Sequence, residues 1–351
     1  EPALPCAPEK LRNPHTTVVQ YLRNVHGRRH ESDYFVARTM RQAADWLEHT
    51  RPAPFFLYVD TFDPHEPWDP PRHYVELYDP DYRGEEVIYP RYDRCDFLSD
   101  AELRHCRALY AGEVTMVDRW VGHLIDRLDS LGLMESTAVI VMADHGFYLG
   151  ERGYIGKSLI RERAQQPLPL YPEVCHIPLM VYLPDAEPGR LDALAQPVDL
   201  PPTILELLGV ALPERFQGHS LVAAMTGSSA GTRRIAVASP TIAGPHLRTA
   251  HPAARATVTD GGWLLICGPT APAGEELTAM VDSIGRRVEV LDPTTLVPRV
   301  FDLTADPGCE RDLLSDSTGR AEAARLHSAF LGLLERAGVS EHQRAPFARI
   351  A

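Results

Sequence analysis

The chain has 351 residues, 44% of them hydrophobic, which is enough to bury a sizeable core in one or two domains. Its 35 basic residues stand against 48 acidic ones, and the net charge of −13 argues against a general nucleic-acid-binding protein. The sequence contains no apolar run of about 18 residues, which argues against a transmembrane helix. Residues 1–20 lack a basic start followed by an apolar block, so no signal peptide is expected within them.

The six cysteines are scattered along the chain, and none forms a C-x-x-C pair. This spacing indicates neither a zinc site nor a disulfide scaffold, so we expect reduced structural thiols. The cysteines are Cys6, Cys95, Cys106, Cys175, Cys267 and Cys309.

The first hundred residues predict one helix, one strand and a long irregular segment. Residues 1–32 contain four prolines and a run of His and Arg, which favours an extended lead-in along the surface. Apolar residues recur at helical spacing from Tyr34 to His49. Pro54 to Asp60 is typical of a short buried strand. The acidic, Pro-rich stretch from Asp63 to Asp96 is irregular, and loops of that length in a compact domain are usually functional.

The central part of the chain predicts a long helix followed by a buried strand. Ser99 and Glu102 form a capping box for a helix that runs to about Leu131. The run from Ala138 to Met142 is apolar and β-branched without polar alternation, which indicates a strand buried on both faces of a parallel sheet. The strand ends at Asp144-His145-Gly146, and the carboxyl ends of strands in open α/β sheets bind ligands.

Three polar side chains are expected to meet at the end of this strand. The glycine-rich segment 146–156 predicts a flexible loop that brings Lys157 back to the edge where Asp144 and His145 lie. A carboxylate, an imidazole and an ammonium suit a divalent cation that holds an anionic substrate. Only Lys10 and Lys157 are lysines in this Arg-rich chain, which hints that a compact charge is needed here. The alternative is that Asp144 caps a helix and His145 is a turn residue.

The remaining elements predict an α/β domain followed by a small α+β subdomain. The alternating strand–helix order before residue 255 favours a mostly parallel sheet flanked by helices over residues 1–254. Residues 255–351 favour a subdomain with an antiparallel sheet and one helix. The predicted elements are strands at 177–183 and 235–239, a helix at 200–208, a hairpin at 256–266, strands at 287–291 and 299–303, and a helix at 319–337.

Five segments of the sequence, in this order, resemble the sulfatase family of the alkaline phosphatase superfamily. They cover roughly residues 33 to 315, and five motifs in the family's order argue against chance. The segments are Phe55–Asp60 with Asp63-Pro64-His65-Glu66-Pro67, Tyr110–Gly122, Ala143–Gly146 with Lys157, Val198–Ile204, and Phe301–Leu303 with Asp306-Pro307-Gly308.

The resemblance implies a metal-dependent ester hydrolase and assigns four site residues. Asp144 and His145 would bind the metal, expected to be Ca²⁺ with Mg²⁺ or Mn²⁺ as alternatives. Lys157, thirteen residues beyond Asp144, would contact the sulfate. His65 would contact the ester oxygen and protonate the leaving alcohol, although by itself it is an ordinary surface histidine. The implied substrate is a small anionic ester, with no nucleic-acid or membrane partner.

The acidic residues around His65 are expected to be solvated loop charges rather than further metal ligands. They are Asp60, Asp63, Glu66 and Asp69. Trp68 is considered as a wall of the substrate pocket.

The family's nucleophile, a cysteine oxidised to formylglycine in a Cys-x-Pro/Ala-x-Arg pattern, has no good match here. Cys6-Ala7-Pro8-Glu9-Lys10 fits superficially, but only five residues precede it and Pro14 blocks the helix expected after it. The chain is therefore expected to be the C-terminal part of a sulfatase-like protein, inactive alone and paired with its own N-terminal fragment. Besides a sulfatase, the alternatives are a phosphonate monoester or phosphodiester hydrolase and a non-catalytic remnant.

Overall fold

The computed structural model describes residues 2–49, 54–162, 164–227, 233–240, 254–269, 287–288 and 290–350. The helices are α1 (Val19–Val25), α2 (Phe35–His49), α3 (Arg72–Val75), α4 (Asp100–Ser130), α5 (Pro172–Cys175), α6 (Leu200–Leu207), α7 (Val222–Met225), α8 (Ser317–Arg336) and α9 (Glu341–Arg344). The strands are β1 (Asp93–Arg94), β2 (Val139–Met142), β3 (Tyr148–Leu149), β4 (Tyr154–Gly156), β5 (Ser158–Arg161), β6 (Ala164–Pro167), β7 (Leu179–Tyr182), β8 (Ala236–Ala238), β9 (Ala256–Thr259), β10 (Trp263–Cys267), β11 (Arg287–Val288) and β12 (Arg299–Asp302).

The chain forms two compact units, and together their helices and sheets confirm the α/β class. The first unit contains residues 1–141, 147–156 and 180–184. The second contains residues 142–146, 157–179 and 185–351. The boundary expected between residues 254 and 255 stays a prediction; β8, which precedes it, pairs with β9, which follows it.

The first unit contains the long helix α4, which begins at the predicted Ser99–Glu102 capping box. The Ser99 hydroxyl accepts a hydrogen bond from the Glu102 amide, while the Glu102 carboxylate accepts one from the Ser99 amide at 2.8 Å. Met116 of α4 is fully buried in a cluster with Val36 and Met40 of α2. The amphipathic pattern of α2 is therefore explained by its packing against α4.

The N-terminal segment is part of the core, so the prediction of an extended surface lead-in is wrong. Leu11 and Val18 are buried in the main cluster of the first unit, and helix α1 follows them. The Lys10 ammonium makes ion pairs with Glu85 at 2.6 Å and with Glu102 at 2.5 Å. Two of the prolines that favoured an extended chain instead begin short helical segments, Pro8–Lys10 and Pro14–Val18.

Residues 54–60 do not form a strand, contrary to the prediction. Their side chains alternate between exposed and half-buried, and Phe56 and Tyr58 are 63% and 76% exposed. Strand β2 forms as predicted and pairs with β7, but it is not buried on both faces, and Met180 of β7 is 59% exposed. Within the described residues, these apolar segments lack the neighbours that would cover them.

The segment expected to be a flexible loop is a hairpin, so that prediction is wrong. Strand β4 pairs antiparallel with β3 on one side and with β1 on the other. At its end, Gly156 has a φ of +109°, and a Cβ there would lie 2.6 Å from Cγ of Tyr92. Only glycine fits this close approach, and it sets the position of the residue that follows, Lys157.

The second unit contains the predicted C-terminal sheet. Strands β8, β9, β10 and β12 form antiparallel pairs, and Leu326 and Phe330 of α8 are fully buried in the cluster under them. The 256–266 hairpin and the 319–337 helix are therefore confirmed. Strand β11 departs from the expected antiparallel sheet, because it pairs in parallel with β6.

All six cysteines are free thiols, as the sequence predicts. No helix in the described part of the chain combines the length and apolar character needed to cross a membrane.

Candidate active site

The turn after β2 is fixed by backbone contacts that require Gly146. Its amide donates a hydrogen bond to the Val174 carbonyl at 2.8 Å. A Cβ on Gly146 would lie 2.1 Å from the Glu173 carbonyl oxygen, so no larger residue fits without movement of the backbone. Oδ1 of Asp144 accepts the His145 amide at 2.8 Å. The turn therefore presents the Asp144 and His145 side chains from a defined backbone.

The hydrogen bonds of His145 indicate which ring nitrogen carries the proton. Nδ1 lies 2.9 Å from the Gly146 carbonyl oxygen, which can only accept, so we assign the proton to Nδ1. Nε2 then presents its lone pair 2.8 Å from Nζ of Lys157, an ammonium that can donate. Oδ2 of Asp144 lies 3.4 Å from the same Nε2. These distances show that Asp144, His145 and Lys157 lie together within the second unit.

The donor set of this cluster fits part of the coordination sphere of a divalent cation. A carboxylate oxygen and an unprotonated imidazole nitrogen lie side by side, and a cationic group, the Lys157 ammonium, already sits against the imidazole nitrogen. The Asp144 side chain is 86% exposed, which leaves its oxygens accessible. In the part of the chain that the structure describes, no group of three or more His, Cys, Asp or Glu is arranged to hold a metal. Two protein donors are few for Ca²⁺, which takes about 6–8 oxygen ligands.

His65 belongs to the first unit and is held through one ring nitrogen. Nδ1 lies 2.7 Å from the Glu66 carbonyl oxygen and 3.3 Å from Oε2 of Glu66. The ring packs against Phe62 at 4.5 Å between centroids, and about a third of the side chain is exposed. No described residue is a hydrogen-bond partner of Nε2. Because His65 and the Asp144 cluster lie in different units, their convergence stays a prediction.

Three of the four acidic residues expected to be solvated are not, so that prediction is wrong for them. Asp63 is buried, and its Oδ2 accepts the Val36 amide at 2.8 Å. Asp69 pairs with Arg28 at 2.9 Å. Burial raises the pKa of both carboxyls above the usual range. Glu66 is 1% exposed, whereas Asp60 is exposed as expected.

Two further side chains near this segment are buried. Trp68 is 1% exposed and its Nε1 donates to the Pro64 carbonyl at 3.0 Å, so it belongs to the core and does not form a wall of a substrate pocket. Glu113 of α4 is 2% exposed, and burial raises its pKa well above the usual range, reinforced by the nearby charges of Asp63 and Asp69. Its Oε1 accepts the Asp69 amide at 3.0 Å, which ties the irregular segment to α4.

Cys6 is unsuited to be the nucleophile, in agreement with the sequence argument. It is 6% exposed in the main core of the first unit. Burial raises the pKa of its thiol to about 12, as expected for a cysteine in the core.

A cavity of about 320 Å³ in the first unit contains none of the four predicted site residues. The lining residues are Asp69, Pro70, Arg72, Val75, Glu76, Asp79, Tyr82, Arg83, Gly84, Glu86, His105 and Leu109. We do not place the site there, because catalysis on an anionic ester requires cationic groups and this cavity has more carboxylates than basic side chains.

Comparison with known proteins gives the same family as the sequence motifs. The model of the sulfatase family matches residues 9–210, more than half of the chain. Arylsulfatase K of Xenopus laevis is 27% identical over 211 residues. That match covers 60% of this chain but 34% of the relative, so the chain spans about a third of the length of that protein.

Solved structures show the same fold at low sequence identity. The phosphonate monoester hydrolase of Agrobacterium radiobacter matches with a TM-score of 0.66 and 18% identity, over 88% of this chain and 62% of that one. BT4656, solved in complex with its substrate D-glucosamine-2-N,6-O-disulfate, matches with a TM-score of 0.63 and 16% identity, over 90% of this chain and 72% of that one. These likenesses confirm the α/β fold and leave the reaction to be argued from the residues.

Proposed function

This chain belongs to the sulfatase family, and we propose that it carries the metal-binding, sulfate-binding and leaving-group residues of a sulfuric ester hydrolase. The observation that carries the proposal is the cluster of Asp144, His145 and Lys157. Its carboxylate oxygen and its ammonium nitrogen lie 3.4 Å and 2.8 Å from the same imidazole nitrogen. A cation site next to a lysine is suited to a substrate group with several negatively charged oxygens.

The cluster provides two kinds of positive charge for a sulfate ester. Oδ2 of Asp144 and Nε2 of His145 would hold a divalent cation, expected to be Ca²⁺, which offsets negative charge on the sulfate oxygens. The Lys157 ammonium, which lies against Nε2 in this structure, would then turn to a non-bridging sulfate oxygen. A charge-assisted hydrogen bond of this kind strengthens as charge develops in the transition state.

His65 is proposed to act on the leaving group. Its Nδ1 is occupied by Glu66, so the nitrogen available to the substrate is Nε2. When the S–O ester bond breaks, the Nε2 proton would pass to the departing alkoxide oxygen. This transfer matters most for alcohols that are poor leaving groups.

The nucleophile is proposed to be a formylglycine in sequence that precedes residue 1, since Cys6 is buried in the core of the first unit. The same preceding sequence is the proposed partner for the exposed apolar side chains of the first unit, among them Phe56, Tyr58 and Met180. The chain covers 62% of the phosphonate monoester hydrolase, so that protein contains sequence beyond the matched part.

The function is tested by comparing residues 1–351 alone with the same residues joined to the sequence encoded immediately upstream. Each protein is assayed with an aryl sulfate and an aryl phosphonate that share one leaving group, with Ca²⁺, Mg²⁺ or Mn²⁺ added. We expect metal-dependent sulfate hydrolysis by the joined protein only, and its loss in an Asp144→Asn control.

The other outcomes of this assay separate the alternatives. Turnover by residues 1–351 alone would show that the nucleophile lies within this chain. Faster cleavage of the phosphonate would make the protein a phosphonate monoester hydrolase. A folded, metal-binding joined protein without turnover on either ester would be a non-catalytic member of the family.

A further inference from the structure

Behind His65 lies a buried ionic network that the proposed reaction does not use. Glu66 is 1% exposed, and its two carboxylate oxygens face different groups. Oε1 accepts hydrogen bonds from Nη2 of Arg12 at 3.0 Å and from the Tyr92 hydroxyl. Oε2 lies 3.3 Å from Nδ1 of His65. The carboxylate therefore connects a cation on one side to the imidazole on the other.

Arg12 is held in place independently of Glu66. Its guanidinium lies over the rings of Tyr89 and Tyr92, at 4.4 Å and 4.1 Å from their centroids. Its backbone amide donates to the Tyr89 carbonyl at 3.0 Å. A guanidinium fixed between two aromatic rings compensates the charge of Glu66 at little further cost in side-chain entropy. The network therefore holds the Glu66 carboxylate at a fixed position beside His65.

We propose that Glu66 is a positioning residue that holds His65 by Nδ1 so that Nε2 acts on the ester. The backbone carbonyl and Oε2 of Glu66 are both acceptors, so together they hold the proton of His65 on Nδ1. The same carboxylate stabilises the ring when it also carries the Nε2 proton that it donates. This inference rests on the proposed role of His65, but the tautomer it requires can be measured without turnover.

Glu66→Gln is the substitution that separates this role from a packing role. Both partners of Oε1 are donors, so the new amide must keep its oxygen towards Arg12 and Tyr92. Its NH₂ group then faces Nδ1 of His65. The amide N–H and the Nδ1–H are both donors, so they cannot form a hydrogen bond with each other. The variant keeps the volume and most of the network but removes the second acceptor for the Nδ1 proton.

The first test is the tautomer of His65, read from the ¹⁵N chemical shifts of its ring nitrogens in residues 1–351. We expect the neutral ring of the unmodified chain to carry its proton on Nδ1. In Glu66→Gln we expect the fraction protonated on Nδ1 to fall. Lys10→Gln is the matched control, because it breaks ion pairs of the same N-terminal segment with Glu85 and Glu102 without touching His65.

One contradicting result does not depend on a folded variant. A neutral His65 protonated on Nε2 in the unmodified chain would overturn the proposal by itself. An unchanged tautomer in a natively folded Glu66→Gln would overturn it as well, and would leave Glu66 with a packing role only.

The second test uses the protein that shows sulfatase turnover. In Glu66→Gln we expect kcat on an alkyl sulfate to fall by at least about tenfold, as for other groups that orient a catalytic side chain, with KM little changed. An activated aryl sulfate should be affected much less, because its departure needs no proton. Equal losses on both esters would contradict the positioning role. Absence of turnover in the parent protein would contradict the proposed function and leave the tautomer test to decide on Glu66.

Discussion

Replacing Lys157 by alanine is expected to lower turnover of a sulfate ester by about 10²–10³-fold, the typical loss of one preorganised contact to developing charge. Metal affinity should be retained or increased. The Lys157 ammonium lies 2.8 Å from Nε2 of His145, so it competes with a cation for that lone pair. The measurement is kcat on an aryl sulfate, together with the affinity for Ca²⁺ by calorimetry.

Two variants control this prediction. Lys10→Gln changes the only other lysine and should leave kcat unchanged, because Lys10 pairs with Glu85 and Glu102. Asp144→Asn should lower the metal affinity as well as turnover, whereas Lys157→Ala should lower turnover alone. A Lys157→Ala protein that loses metal affinity along with turnover would show that the lysine holds the cluster together and does not contact the sulfate.

Replacing His65 by alanine is expected to lower turnover of an alkyl sulfate by about 10²–10⁴-fold, the usual contribution of a general acid. Activated aryl sulfates should lose much less, because their leaving groups depart without a proton. The measurement is kcat/KM across a series of esters of increasing leaving-group pKa. The decrease of log(kcat/KM) with leaving-group pKa should be steeper in the variant.

The control for this series is His73→Ala. His73 is an exposed histidine of the same irregular segment, with 62% of its side chain accessible, and its loss should leave the series unchanged. A uniform loss across all esters in His65→Ala would show that His65 binds the substrate and does not act as an acid.

The elements that could be predicted from the sequence are those determined by neighbouring residues. The Ser99–Glu102 capping box marks the start of α4 because both partners lie within one turn. The 256–266 hairpin follows from a Gly-Gly turn between two apolar runs. The cluster of Asp144, His145 and Lys157 also follows from local order, although the segment between them is a hairpin and not a flexible loop.

The features that could not be predicted depend on distant partners. An apolar run such as residues 54–60 becomes a strand only if a neighbour pairs with it, and none in the described chain does. Glu66 is buried because Arg12, 54 residues earlier, compensates its charge. No short-range pattern carries that pairing. The adjacency of Glu66 to His65 is the only local signal of its role. Its charge by itself predicts an exposed side chain, which is wrong here.

Binding of Mn²⁺ to residues 1–351, followed by NMR, tests the proposed metal site most directly. Paramagnetic broadening detects weak binding, which is what two protein donors allow. We expect Mn²⁺ to broaden the ring signals of His145 first and excess Ca²⁺ to reverse the effect. Asp144→Asn should abolish the broadening, while Lys10→Gln should not. Broadening that persists in Asp144→Asn, or that affects other histidines before His145, would contradict the assignment of Asp144 and His145 as the metal ligands.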